Sequence, residues 1–187
     1  NNATKTPGSK IWLAQGEKIT VENLLYALLI ESANDAAIAL AEHNSGSVAT
    51  FVQKMNTKAR ALNLLSTSFN NPAGLDGQDI STAYDLTLLG HYAYAKNFIR
   101  ETVITKELTI SSINEQFNHK LTNTNQLLKS YLSVLGLKTG TTPLAGECLI
   151  SIIKNHQGNN ILTVVLSSPA RYQETKILAE WTFRSYT

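Results

Sequence analysis

Near Arg100 the hydrophobic period of this chain turns from helical to alternating, and that change sets its fold class. From Val21 onward Leu24, Leu25, Leu28 and Leu29 recur at helical spacing, which reads 21–31 as a helix. Ser32-Ala33-Asn34-Asp35 interrupts it with turn and capping residues, and Ala36–Glu42 resumes as helix. Ser47 caps a third helix through Leu62, with Val48, Phe51, Val52 and Met55 on one face. Phe69–Gly77 is a loop by composition, and Thr82-Ala83-Tyr84-Asp85 fits a capping box ahead of Leu86, Leu89 and Tyr92–Tyr94. Beyond Arg100 the runs 102–111, 134–139, 147–154 and 161–167 are alternating and β-branched, with a hairpin turn at Asn155–Asn159. Residues 9–15 read as a short strand ended by Gly16, and Ser168-Pro169 as cap and first residue of a last helix to Phe183. The fold class is α+β, with a helical lobe over 21–100 and a sheet-containing lobe from 1–20 and 101–187.

Composition narrows the function classes. A chain of 187 residues is long enough for one well-cored domain, or one domain with a lobe inserted in it, and 43% hydrophobic with 16% charged residues is ordinary globular composition. A net charge of +2 is too small to argue for nucleic acid or an anionic membrane as partner, no Lys/Arg cluster suggests otherwise, and no nucleic-acid partner is expected. The apolar run Leu24–Ile30 is far short of the ~20 residues that span a bilayer, and no signal peptide stands in residues 1–20. Because Asn1-Asn2-Ala3 lacks a Met, the chain reads as processed or cut. The single Cys148 excludes an internal disulfide framework and reads as a buried small hydrophobe.

Two short motifs carry chemistry. Lys138-Thr139-Gly140 ends an apolar strand and is followed by Thr141 and Thr142. A cation, hydroxyls and a glycine on one strand suit an extended peptide with a terminal carboxylate. Ser32-x-Asn34 lies at a helix–helix turn, where a hydroxyl and an amide project together. Each has a bland reading when taken alone: a strand end with a solvated Lys for the Lys138 triplet, helix-capping residues for Ser32-x-Asn34. His43, His91, His119 and His156 show no metal-ligand spacing and no nearby carboxylate, so neither metal nor cofactor is expected. They read as surface or helix-packing residues, and Tyr92 and Tyr94 as packing residues.

Together these motifs resemble the penicillin-recognising acyl-serine enzymes, which combine Ser-x-x-Lys, Ser-x-Asn and Lys-Thr-Gly. Further stretches are similar to the low-molecular-weight D-alanyl-D-alanine carboxypeptidases. They are Ile30–Ala36, Asn71–Asp76 with Ser81–Leu86, Asn123–Leu128, Gly136–Thr142 with Ala145-Gly146, and Val164–Leu166 through Trp181–Phe183. The resemblance covers nearly all of the chain. It implies a β-lactamase/transpeptidase-like fold, an antiparallel sheet flanked by helices plus a helical lobe, with its N-terminal portion missing.

It also implies acyl transfer from a peptidoglycan stem peptide ending in D-Ala-D-Ala, with β-lactam antibiotics as ligands. Ser32 would relay a proton to the leaving amine, and Asn34 would donate its amide to the substrate's peptide carbonyl. Lys138 would support that relay and attract the carboxylate, to which Thr139 and Thr141 offer hydroxyls. Gly140 would let the substrate backbone approach. The implied location is outside the cytoplasmic membrane, with any membrane anchor beyond Thr187.

One departure stands out. The nucleophile motif should precede Ser32 by several dozen residues, yet the only Ser-x-x-Lys is Ser151-Ile152-Ile153-Lys154, downstream and in a strand. There the two side chains point to opposite faces, so Lys154 cannot serve Ser151 as a base. The expectation is a chain without its nucleophile, inactive by itself. A β-lactamase and a non-catalytic peptidoglycan-binding module are the alternatives. The lack of a deacylating Glu in a loop between the motifs, where Glu115 is the nearest candidate, counts against the β-lactamase.

Overall fold

In the computed structural model, which describes residues 2–75 and 77–186, three of the helices start where a hydroxyl caps them. Thr20 accepts from Asn23 N ahead of α1 (Val21–Tyr26), and Ser47 accepts from Thr50 N ahead of α3 (Val48–Ala61). Thr82 accepts from Asp85 N ahead of α4 (Ala83–Tyr94). These bonds satisfy N–H groups that the first helical turn leaves open. Helices α2 (Asn34–Ser45), α5 (Asn97–Thr102) and α6 (Arg171–Tyr186) complete the set.

The chain forms two compact units. The first comprises Asn1–Arg60, Ser68–Asp79 and Thr105–Thr124, the second Ala61–Thr67, Ile80–Ile104 and Asn125–Thr187. Their boundaries differ from the lobes read in sequence: α4 and α5 go with the later strands, and the 105–124 segment goes with the early helices.

The first unit holds α1 to α3, the 68–79 loop and a hairpin of β1 (Glu107–Ser111) with β2 (Asn118–Thr122). Its core is Ile11, Leu24, Ala27, Ile30, Ala33, Ala36, Ile110 and Leu121. Strand β2 (Asn-His-Lys-Leu-Thr) escapes the sequence pattern because its side chains alternate without β-branched bulk, and only His119 and Leu121 are buried. The loop forms as read, with Asp79 Oδ1 accepting from Asn70 N and Asn71 N, and Asn71 Oδ1 from Ala73 N. Asp76, which ends the motif read there, lies outside the described residues.

The expected strand at 9–15 does not form. Residues 10–14 have no regular secondary structure and pair with no strand, and the amides of Ile11 and Leu13 turn instead to a side chain.

The second unit is an antiparallel sheet of order β3-β4-β5 with α4 and α6 packed on it. Strands β3 (Ser133–Thr142), β4 (Gly146–Lys154) and β5 (Asn160–Ser168) run longer than their sequence runs. Central β4 buries Leu149, Ser151, Ile152 and Ile153 in succession, the pattern of a strand covered on both faces. The hairpin turn forms as read, Asn155 Oδ1 accepting from Gln157 N and Asn159 N. In β3 the register shifts between Val134 and Leu137. Gly136 is required there, because at φ 122° a Cβ would lie 2.5 Å from Val103 Cγ2. Helix α6 starts two residues later than read: Ser168 Oγ accepts from Ala170 N at 2.8 Å, and Ala170 O receives Glu174 N. That offset makes Arg171 the helix's first residue.

Candidate active site

Ser32 and Asn34 belong to the first unit, Lys138 to Thr141 to the second. The Ser32 turn exists because α1 does not end cleanly. Its last turn widens into a π-helical turn over Ala27–Glu31, and both Ser32 N and Ala33 N bond back to Ala27 O. Ser32 is left at φ 60°, ψ 40°, a left-handed conformation that few non-glycine residues adopt. Helix α2 then begins at Asn34, so hydroxyl and carboxamide flank a single buried Ala33. Asn34 Nδ2 donates to Pro7 O at 2.9 Å, and its backbone N–H to Ser9 O at 2.8 Å.

Sequence reading missed the group that stabilises this turn. Asp35 is fully buried and accepts from three backbone amides. Oδ1 takes Ile11 N at 3.2 Å and Ala36 N at 2.9 Å, while Oδ2 takes Leu13 N at 3.1 Å. His119 was also misread. It is buried on β2, with Nδ1 2.8 Å from Ile11 O and Nε2 2.7 Å from Glu17 Oε1, so it does have a carboxylate partner. The spacing of 102 residues between His119 and Glu17 leaves no local signal for that pair.

In the second unit β3 is an edge strand of the three-stranded sheet. Lys138 is half-buried, Thr139 buried, and Gly140 and Thr141 exposed. Lys138 Nζ donates to Thr139 O at 3.0 Å. Burial foremost, and then the like charge of Arg171, lower the Lys138 ammonium from 10.5 to about 8. It therefore exchanges its proton near neutral pH far more readily than a solvated lysine.

Arg171, also absent from the sequence reading, is carried to β3 by the first turn of α6. Its Nη1 donates to Gly140 O at 2.9 Å and to Thr141 Oγ1 at 2.5 Å. Glu147 lies 3.9 Å from Nε, and the guanidinium lies over the Tyr172 ring at 4.8 Å. Two cations thus serve the strand where one was expected. Cys148, directly across from Gly140 in the β3–β4 ladder, is half-buried rather than fully buried. Its position near the strand end, beside a glycine, leaves one side uncovered.

Ser151 is fully buried in β4, whereas Lys154 is exposed at its end. The strand geometry thus separates that Ser and Lys as the side-chain alternation requires. Among the described residues no group of His, Cys, Asp and Glu is arranged to hold a metal ion.

Comparison with known proteins identifies the lineage. The family model described as D-alanyl-D-alanine carboxypeptidase matches residues 1–170. The chain belongs to the D-alanyl-D-alanine carboxypeptidase family. It is 36% identical over 192 residues to the D-alanyl-D-alanine carboxypeptidase DacF of Bacillus subtilis, covering 99% of this chain and 48% of that protein. It is 37% identical over 185 residues to the D-alanyl-D-alanine carboxypeptidase of Streptomyces sp. strain K15, covering 91% and 63%. The chain therefore spans about half the length of the curated relatives it matches. The crystal structure of the Streptomyces K15 DD-transpeptidase superposes with a TM-score of 0.88 at 34% identity, over 95% of this chain and 72% of that one. The α+β fold is that of the penicillin-binding DD-peptidases.

Proposed function

We propose that the full-length protein is a serine-type D-Ala-D-Ala carboxypeptidase that acts on peptidoglycan stem peptides through an acyl-enzyme and is acylated by β-lactams. The observation that carries this reading is the edge strand β3, with Lys138 on it and Arg171 bonded to Gly140 O and Thr141 Oγ1. An extended peptide adds to such an edge by main-chain hydrogen bonds, and its C-terminal carboxylate is drawn to the two cations. Lys138, lowered to about 8, combines charge at neutral pH with ready proton exchange. In this reading Ser32 passes the proton to the leaving D-Ala amine, and Asn34 holds the substrate's peptide carbonyl. Thr139 and Thr141 hydroxyls take up the carboxylate, and Gly140 admits the substrate backbone.

The nucleophile is sought outside residues 1–187, because Ser151 is sealed within β4. Peptidoglycan lies beyond the cytoplasmic membrane, so the reading includes export. No helix among the described residues is long and apolar enough to cross a membrane.

Incubating the full-length protein with fluorescent penicillin, followed by denaturing electrophoresis, should give a covalent band. A peptide ending in D-Ala-D-Ala should release free D-Ala. Residues 1–187 alone should do neither. Penicillin binding without a covalent adduct would favour a non-catalytic binder, and rapid turnover of a chromogenic cephalosporin would favour a β-lactamase.

A further inference from the structure

Resting on the acyl-transfer reading, we propose that Asp35 is a positioning residue: it anchors the irregular segment Pro7–Leu13, and that segment sets the orientation of the Asn34 carboxamide.

The segment has no ladder to hold it. Its course is fixed by bonds to the Ser32–Asp35 turn and its neighbours. Pro7 O accepts from Asn34 Nδ2, Ser9 O from Asn34 N, and Ser9 Oγ donates to Glu31 O. The two oxygens of Asp35 then take Ile11 N and Leu13 N, on either side of Trp12. Trp12 itself sits at φ 62°, a conformation rarely occupied by a bulky residue. A kink of that kind persists only where its surroundings over-determine it, and the buried carboxylate straddling it does so. His119 adds a further bond at Ile11 O.

The link from segment to carboxamide is equally direct. Pro7 O occupies one N–H of the Asn34 amide group, which leaves a second N–H and Oδ1 aimed by that bond. Gly8 lies against the same nitrogen: a Cβ added there would be 2.7 Å from Asn34 Nδ2. Only a residue without a side chain leaves the carboxamide its place. Asp35 thus acts on Asn34 through the chain it holds, not by contact with substrate.

The test is a double-mutant cycle in the full-length protein, reading the rate constant and the amplitude of acylation by a fluorescent penicillin. Asp35→Asn keeps the side chain's shape but turns an amide group toward N–H donors. It should slow acylation about tenfold at full amplitude, as expected for a group displaced by a fraction of an ångström. The same substitution in an Asn34→Ala background should cost nothing further. Slowing of equal size in both backgrounds, or reduced amplitude at an unchanged rate constant, would overturn the proposal.

A second measurement does not depend on catalysis. The Asn34 side-chain amide resonances should shift in Asp35→Asn and in Gly8→Ala, and unchanged resonances in both overturn the proposal whatever the activity. A wild-type protein that fails to acylate, with those resonances shifting in the variants, removes the acyl-transfer reading and leaves the positioning intact.

Discussion

The turn at Ser32 and the strand at Lys138 fix their candidate side chains by opposite means. Lys138, Thr139 and Gly140 are held by a regular ladder, each paired in turn with Ile150, Leu149 and Cys148 of β4. Ser32 and Asn34 are held by a widened helical turn, a left-handed residue and side-chain bonds to a segment without secondary structure. A ladder spreads its stability over many equivalent bonds. The turn concentrates it in one buried carboxylate, so single substitutions separate the two designs.

The largest effect is expected on the strand's chemistry. Lys138→Met keeps length and apolar stem but removes the charge and the exchangeable proton. Acylation of the full-length protein by penicillin should fall by about 100-fold or more, the scale for losing a proton-transfer group. The β3–β4 ladder does not use the Lys138 side chain, so the melting temperature should hardly change. A variant that labels at the wild-type rate would remove Lys138 from the mechanism.

On the turn the balance reverses, with stability the leading casualty. Asp35→Ala strands three amides, at Ile11, Leu13 and Ala36, in a buried setting. A loss of about 2 to 4 kcal/mol is expected from the missing charge-assisted bonds. Urea unfolding followed by circular dichroism measures it, and a loss under about 1 kcal/mol would mean that water replaces the carboxylate.

This contrast explains what the sequence could and could not reveal. Strand β3 was legible because its apolar pattern is local, and helices α1, α3 and α4 because periodicity and caps are local too. Ser32 and Asn34 were legible only as a motif, since nothing nearby in sequence announces a π turn. Asp35 bonds to amides 22 and 24 residues away, and Arg171 to a strand 30 and 31 residues away. Partners that distant leave no periodic trace. The expected strand at 9–15 failed for the same reason: its amides are satisfied by Asp35 rather than by a ladder.

A pH series sharpens the strand's side of the comparison. Below about 8 Lys138 is charged in the folded protein, and above it increasingly neutral. Affinity for a carboxylate-bearing β-lactam should therefore fall as pH rises through that value. Arg171 is the second cause of the lowering, so Arg171→Leu should move the limb to higher pH, by less than burial contributes. Folding responds with a definite sign. Between about 8 and 10.5 the unfolded chain binds more protons at this site than the folded one, so its contribution to stability rises with pH across that window. A limb that stays in place in Arg171→Leu would assign the whole shift to burial.

The smallest expected effect bears on the identity of the nucleophile. Ser151 is fully buried, and its hydroxyl has no hydrogen-bond partner among the described residues. Burying a hydroxyl without a partner is unfavourable, and an alanine methyl fills nearly the same space without that cost. Ser151→Ala should change stability by less than about 1 kcal/mol, in the stabilising direction. Acylation of the full-length protein by penicillin should proceed at the wild-type rate. Loss of the covalent band in Ser151→Ala would mean that β4 opens to expose this serine, which strands buried on both faces resist. A retained band leaves β4 as scaffold for the Lys138 strand and assigns the attacking group to another residue of the full-length protein.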